Sequence, residues 1–461
     1  MICPLYLYAK NDPDAIFLEN GSQQFSYQDW HQASSYLQDW LKIKGFNSGS
    51  RIGVSKCSPF LLSALLIACS RSGCILAIFS ERDPKSTLQI IAQQYKLHIL
   101  DSEELICLDN DPPWKKDPPQ NDHPSLLNDQ PSIQKDLPLT MLFTSGSTAK
   151  PKAVLHSFSN HWASASASFQ NIPYQKDDRW LLSLSLWHIG GLAIIFRTLF
   201  GGGTAITRTN EDLFQLIKSK MITHLSLVAT QLAELLPYSP FPSLKAVLVG
   251  GGPIPPSLIS LATQQESPVP VHTTYGMTEL SSQCTTSSCN ATLDELRSAG
   301  KPLGDWDIII SKEGEVCAKG SSLFLGYWDG ETIQSPRDSA GYFHTRDTGI
   351  IKQGLLFPIG RIDQMFVSGG ENIHPEEIEK FLCTFVEQAI VVPVPDLKYG
   401  CRPVAFLYGE YELEDIKAQL CKHLSKFKHP DQYFPWPSQI PIIKPSRNAL
   451  QSLASSLLNL S

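Results

Sequence analysis

The stretch "LFTSGSTAKPKAVLHS" (residues 142–157) reads as a short strand, a Ser/Thr/Gly loop and then the start of a helix. A loop of that make holds an anion. Thr144, Ser145, Ser147 and Thr148 offer hydroxyl donors, Gly146 lets backbone amides turn inward, and Lys152 adds a positive charge. GxxxxGK[ST] does not thread through "SGSTAKPK", so this is no P-loop. Taken alone, the same residues also fit an ordinary Ser/Thr-rich surface loop. Ala149 and Ala153 stand where a tight loop favours glycine, and alanine disfavours φ > 0. The loop should still form if those two positions are not left-handed.

Outward from this loop, from Leu139 on, β-rich runs ("LTMLFT", "WLLSLSL", "TAITRT", "THLSLVA", "LKAVLVG", "VPVHTTY") alternate with helical ones ("GLAIIFRTLF", "EDLFQLIKSK", "TQLAELL"). Such alternation predicts an α/β fold with a largely parallel sheet flanked by helices. Towards the N-terminus, "YQDWHQASSYLQDWLKIKG" is amphipathic at helical spacing, and "FLLSALLIACSRSGCILAIF" reads as a buried helix followed by a buried strand. Its apolar half is too short for a bilayer, which needs about 20 residues. Residues 109–138, rich in Pro, Asp, Asn and Gln without a period, read as a long solvated loop. A boundary is expected at "GRID" (360–363), separating a large domain, 1–360, from a small α+β domain, 361–461. In the latter, "QMFVS", a Gly-Gly turn, the helix "HPEEIEKFL", "QAIVVPV" and "PVAFLYG" follow one another. Pro375 suits the first turn of that helix, and Glu376 and Glu377 its positive end.

With 461 residues and 42% hydrophobic content the chain can bury a large core in more than one domain. A net charge of −7 excludes a basic nucleic-acid surface. Eleven scattered cysteines without a CxxC pair read as buried reduced thiols of a cytoplasmic protein, and no signal peptide is read in "MICPLYLYAKNDPDA".

Set in order, "FTSGSTAKPKAV", "LSLSLWHIGGLA", "VLVGGGPIP", "TTYGMTEL", "GEVCAKGSSLFLGY", "GYFHTRDTG", "GRIDQMFVSGGENIHPEEIE" and "KPSRNAL" resemble the signature motifs of the adenylate-forming acyl-CoA synthetase family. The early "FSYQDW" is similar to that family's Tyr-x-x-Leu helix, with Trp30 for the leucine. Within the family, "WLLSLSLWHIGGLAIIFRTLFGGG" and "THLSLVATQLAELL" look most like the branch that joins o-succinylbenzoate to coenzyme A for menaquinone biosynthesis. The resemblance implies a large N-terminal domain, a small mobile C-terminal one, and a two-step ligase. A carboxylic acid and ATP give acyl-AMP and pyrophosphate with Mg²⁺; coenzyme A then displaces AMP. Activation comes first because oxide is a poor leaving group and AMP a good one.

By the same resemblance, Thr144, Ser145, Gly146, Ser147, Thr148 and Lys152 would wrap the β- and γ-phosphates of ATP, and Gly250, Gly251 and Gly252 would let backbone approach the adenine and the acyl group. In Thr274, Tyr275, Gly276, Met277, Thr278 and Glu279, the tyrosine would stack near adenine and Thr278 would bond the α-phosphate. Glu279 would hold Mg²⁺, a hard cation that takes few carboxylates beside phosphates. Asp347, aided by Arg361, would bond the ribose; Asp363 would be the hinge. His188 would line the acyl and thiol side, against its alternative as a packed core histidine. Gly369 and Gly370 would border the pantetheine channel. Lys444 would contact the α-phosphate during adenylation, with Lys426 and Lys428 as the nearest alternatives. Four departures from the family pattern stand out: Ala149, Ala153, Arg346 for a glycine, and Ile443 for a glycine. They leave two further readings open, a stand-alone adenylation enzyme that loads an acid on a carrier protein, and an inactive relative that serves as a binding protein.

Overall fold

The structure is a computed structural model and describes residues 1–115, 130–144, 151–265, 267–442 and 445–458. The loop residues 145–150, most of the proline-rich segment (116–129), Ile443 and Lys444 lie outside the described residues.

The Pro138–Thr144 strand has the Lys152–Ser157 strand as its antiparallel neighbour, with Thr144 opposite Lys152 and Phe143 opposite Ala153. The residues after Lys152 are thus a strand, not the start of a helix. Ala153, Val154, Leu155 and His156 are all buried, because the Gly326–Trp328 strand pairs along the outer side. A helix at this position would bury only one face. The helix Phe158–Asn171 begins one residue after the strand, at a capping box: the Asn160 amide N–H donates to Ser157 Oγ (3.1 Å), and the Ser157 N–H donates to Asn160 Oδ1 (2.9 Å). Ala153 lies in extended backbone, so a glycine is not required there.

Among the described residues the strands form four sheets. In the nine-stranded sheet, Val271–Tyr275, Ala246–Val249, His224–Leu227, Arg179–Leu182, Thr204–Thr207 and Ile16–Asn20 run parallel in that spatial order. A seven-stranded sheet carries the Pro138–Thr144 hairpin beside parallel Ile75–Ile78, Arg51–Val54 and His98–Ile99. Between these sheets pack Pro59–Ser72 and Ile189–Gly201, almost wholly buried helices. Ser58 Oγ caps the first by accepting the Leu61 N–H (3.1 Å), and Gly73 ends it at φ +73°. Each fully buried Leu or Ile on them contributes about 1.5–3 kcal/mol.

Two further sheets follow along the chain. Asp307–Ile310, Glu315–Lys319, Phe343–Lys352 and Leu355–Arg361 make a four-stranded antiparallel sheet, an element absent from the sequence reading. Beyond it, Gln388–Asp396 and Gly400–Tyr408 centre a five-stranded sheet, which with the helices Pro375–Leu382, Leu413–His423 and Arg447–Leu457 encloses cores of its own. The architecture is α/β: a large part of mainly parallel sheets flanked by helices, and a smaller α+β part at the C-terminal end. The eleven cysteines form no disulfide, but Cys107, Cys289 and Cys421 are exposed rather than buried.

Candidate active site

In parallel sheets, ligand sites collect beyond the carboxyl ends of the strands. Two predicted segments stand there side by side: Gly250–Gly252 follow Ala246–Val249, and Gly276–Glu279 follow the neighbouring Val271–Tyr275. They touch closely, since a Cβ on Gly250 would sit 2.6 Å from Thr274 Cγ2. Gly276 is more constrained still: its Cβ would stand 1.5 Å from the Ser282 carbonyl oxygen. The chain after Tyr275 therefore folds back on itself, and Thr278–Leu280 forms a single 3-10 turn that aims Thr278 and Glu279. His156, buried and neutral because burial pushes its pKa down to about 4, donates from Nε2 to the Thr278 carbonyl (2.7 Å). The Lys152–Ser157 strand is thereby tied to the Thr278–Leu280 turn.

Glu279 is 6% exposed, and its Oε1 accepts the hydroxyl of Tyr327 (2.8 Å). Lys152 Nζ lies 5.0 Å above the ring of the same tyrosine. The carboxylate read as the metal ligand and the lysine read as a phosphate contact thus share one aromatic support. Tyr327 itself had been assigned no role; it sits in "FLGYW", 48 residues beyond Glu279, and only the pairing of Gly326–Trp328 with Lys152–Ser157 brings it there. A single carboxylate, an oxygen donor already oriented by a phenol, fits Mg²⁺ as the ion is held beside phosphates. At the near end of the loop, the Tyr95 hydroxyl donates to the Pro151 carbonyl.

Asp347 centres a second cluster. Its Oδ2 accepts the Tyr275 hydroxyl (2.6 Å), and its Oδ1 accepts Arg361 (3.1 Å). Arg361 in turn holds Asp363 through two bonds, 2.8 and 3.0 Å. Burial raises the Asp347 pKa, whereas the hydrogen bond from Arg361 lowers that of Asp363. The residues read as adenine, ribose and hinge contacts are therefore one connected chain. Arg346 adopts φ +67° with its side chain exposed, and its amide donates to Glu315 Oε1 (2.8 Å), so the cation does not occupy the Asp347 carboxylate.

His188 precedes the helix Ile189–Gly201 and is exposed, which removes the packed-core reading. The turn before it is tight, as a Cβ on Gly191 would lie 2.3 Å from the Ser185 carbonyl oxygen. A cavity of about 300 Å³ lies beside this turn, lined by Leu184, Ser185, Trp187 and, from the seven-stranded sheet's side, Val54, Ile78 and Phe79. The same helix carries Arg197. It is buried, burial pushes it down to about 9, and it donates to Gln283 Oε1 (2.6 Å), with Nε unpartnered and no carboxylate bridged to it among the described residues.

In the C-terminal part, Gly369 (φ +60°) and Gly370 (φ +87°) make the turn between Phe366–Ser368 and Glu371–Ile373, where left-handed backbone calls for glycine. Lys428 is engaged by Glu377 at 2.6 and 2.7 Å. Arg447 donates to Glu379 (3.1 Å from Nη2 to Oε2) and thus fixes the C-terminal helix three residues after Lys444. The Gly369 N–H donates to the Tyr399 carbonyl (2.9 Å), within the same C-terminal part.

The model of the AMP-binding enzyme family matches residues 6–328. A 2-succinylbenzoate–CoA ligase of Bacillus cereus (strain AH820) is 31% identical over 447 residues, 91% of each chain. Two solved structures of o-succinylbenzoate CoA synthetase from Bacillus subtilis are each 26% identical. The complex with the acyl-adenylate OSB-AMP has a TM-score of 0.84 over 98% of both chains; that with ATP and magnesium ion has 0.81 over 95% of this chain and 96% of the other. A buried glutamate beside a lysine, an aspartate tied to a tyrosine and an arginine, and a family match across 6–328 converge, and this chain belongs to the AMP-binding enzyme family.

Proposed function

We infer that the protein is an AMP-forming acid–thiol ligase that converts o-succinylbenzoate to its coenzyme A thioester. The observation that carries this reading is the near full-length likeness to ligases of that acid, with the Glu279–Tyr327–Lys152 and Tyr275–Asp347–Arg361 clusters intact. In the first step the acid's carboxylate oxygen bonds to the α-phosphorus of ATP, the bond to the β-phosphate oxygen breaks, and pyrophosphate leaves. Lys152 and the 144–148 stretch would serve the departing phosphates, Thr278 would bond the α-phosphate, and Glu279 would hold Mg²⁺. Bound there, Mg²⁺ neutralises developing phosphate charge. Asp347, acceptor-only when ionised, takes the two ribose hydroxyl donors in place of the Tyr275 O–H, while Arg361 keeps it aligned. Gly250–Gly252 give adenine an approach free of side chains. In the second step coenzyme A's sulfur bonds to the acyl carbon, AMP departs and the thiol proton is lost; His188 and the Gly369–Gly370 turn border the thiol's path.

The small unit, 361–461, turns about Asp363 between the steps, and Lys444 serves only the first. Its separate cores support this division. o-Succinylbenzoate is a dicarboxylic acid, so one carboxylate stays charged after activation and calls for a cation. Arg197, a buried guanidinium with no acidic partner among the described residues, supplies it between the His188 helix and the segment after Glu279. A cytoplasmic setting fits the use of ATP and coenzyme A and eleven cysteines free of disulfides; no helix among the described residues is long and apolar enough to cross a membrane.

The test is incubation with o-succinylbenzoate, ATP, Mg²⁺ and coenzyme A, with AMP and the thioester expected in equal amounts. Arg197→Gln should raise KM for the acid and leave KM for ATP unchanged. Absence of thioester contradicts the activity; an equal rise in both KM values contradicts the role of Arg197.

A further inference from the structure

The antiparallel sheet places Glu315, Cys317 and His344 together, and we propose that they form a tetrahedral Zn²⁺ site with water as the fourth ligand. Cys317 and His344 are direct partners across adjacent strands, and Glu315 lies two residues before Cys317, on the same face. Val316 and Ala318, between and after them, point into the core with Phe343 and Thr345. The register shifts between Glu315 and Cys317, Glu315 pairing with Thr348 and Cys317 with His344, so the extra residues lie on the His344 strand. The donor atoms meet: Cys317 Sγ is 3.5 Å and Glu315 Oε2 2.8 Å from His344 Nδ1, and all three lie within 4.8 Å of one another. Zinc at about 2.3 Å from sulfur and about 2.0–2.1 Å from nitrogen or oxygen sets tetrahedral ligand atoms about 3.3–3.6 Å apart. The sulfur–nitrogen edge already has that length, and the nitrogen–oxygen edge opens by about half an ångström.

The surroundings match those of a metal ligand set. His344 Nε2 is 3.6 Å from Asp338 Oδ2, and Asp338 is itself fixed by the Ala340 and Tyr342 amides (2.9 and 2.8 Å). That is the arrangement of a carboxylate orienting a ligating imidazole. The second oxygen of Glu315 accepts the Arg346 amide (2.8 Å), so the carboxylate is oriented as well. Cys317 is buried, whereas the His344 side chain is 44% exposed, which leaves an entry path and room for water. A histidine–carboxylate pair accounts for Glu315 and Asp338; the Cys317 thiol adds a third donor atom 3.5 Å from Nδ1, with the Glu315 carbonyl as its other neighbour at 3.7 Å. On binding, the Cys317 S–H bond breaks, a sulfur–zinc bond forms and the proton passes to water. His344 gives up the Nδ1–H that Glu315 accepts, also to water, binds through the freed lone pair and keeps its Nε2–H for Asp338. A thiolate and a carboxylate together neutralise the ion. The metal would clamp the two strands just ahead of Asp347, stiffening the ribose contact without touching the chemistry.

The test uses the full chain, stripped of metal and titrated with Co²⁺ as a spectroscopic probe and then with Zn²⁺. One equivalent of Co²⁺ should give a thiolate-to-metal charge-transfer band, and Zn²⁺ should abolish it. Cys317→Ser and His344→Gln should each lose the band with unchanged far-ultraviolet circular dichroism. Asp338→Asn should weaken affinity about 10–100-fold. A Cys107→Ser/Cys289→Ser/Cys421→Ser variant, lacking the exposed thiols, should keep the band. If Cys317→Ser does not fold, His344→Gln, at an exposed position, decides. No band at one equivalent, a band that survives either ligand substitution, or one lost with the exposed cysteines would overturn the site. None of these readouts depends on the ligase activity.

Discussion

In the proposed first half-reaction Glu279 would hold the metal and Lys444 would contact the α-phosphate. Glu279 is buried and oriented by Tyr327, so Glu279→Gln keeps its shape and removes only charge. Metal assistance is worth several kcal/mol, so adenylation should fall about a hundredfold and recover in part at higher Mg²⁺. An unchanged rate with unchanged Mg²⁺ dependence would refute the assignment. For Lys444, loss of one preorganised donor costs about 2.7–4 kcal/mol, roughly a hundred- to a thousandfold in rate. Lys444→Ala should therefore cripple acyl-AMP formation, while synthetic acyl-AMP and coenzyme A should still give thioester at a nearly normal rate. Equal loss in both half-reactions rules the role out; if both stay intact, Lys426→Ala is the next variant, because Lys428 is already neutralised by Glu377.

At the level of elements, legibility followed locality. The amphipathic helix Tyr27–Ile43 and the buried run Pro59–Ser72 then Ile75–Ile78 were plain from period and composition. The Lys152–Ser157 strand was misread because a short apolar run buried on both faces carries neither the 2-residue nor the 3.6-residue period. Its capping box, Ser157 with Asn160, marked the true helix start but used asparagine rather than glutamate or glutamine. Asp347, Arg361 and Asp363 were legible as motifs, yet their linkage through Tyr275, 72 residues from Asp347, was not. Tyr327 and Arg197 were invisible for the same reason: their partners come from other elements. The turn after Val271–Tyr275 gives the element-scale test. Gly276→Ala places a Cβ where the Ser282 carbonyl stands, so the turn must open and withdraw Thr278 and Glu279. The variant should lose at least 1–3 kcal/mol, roughly, in stability, as overpacked sites do, and nearly all adenylation. Wild-type kcat/KM and urea midpoint in this variant would contradict the account.

Across the whole molecule, buried histidines set the response to acid. His31, His156 and His224 are pushed down to about 4 by burial, and His161 and His272 are lowered for the same reason. In the unfolded chain they take up protons near pH 6.5, but in the native state only below it. Unfolding therefore gains protons as pH falls, and the urea midpoint should drop steadily between about pH 6.5 and 4. A midpoint that stays level across that window would show these side chains to be solvated. The same large body holds the acyl side, and there the central claim is open to one direct measurement. Pyrophosphate release with ATP, Mg²⁺ and coenzyme A should be followed across o-succinylbenzoate, benzoate, acetate, a long fatty acid and amino acids. The account predicts that kcat/KM for o-succinylbenzoate far exceeds that for every other acid, and equal or better turnover with any of them would contradict it.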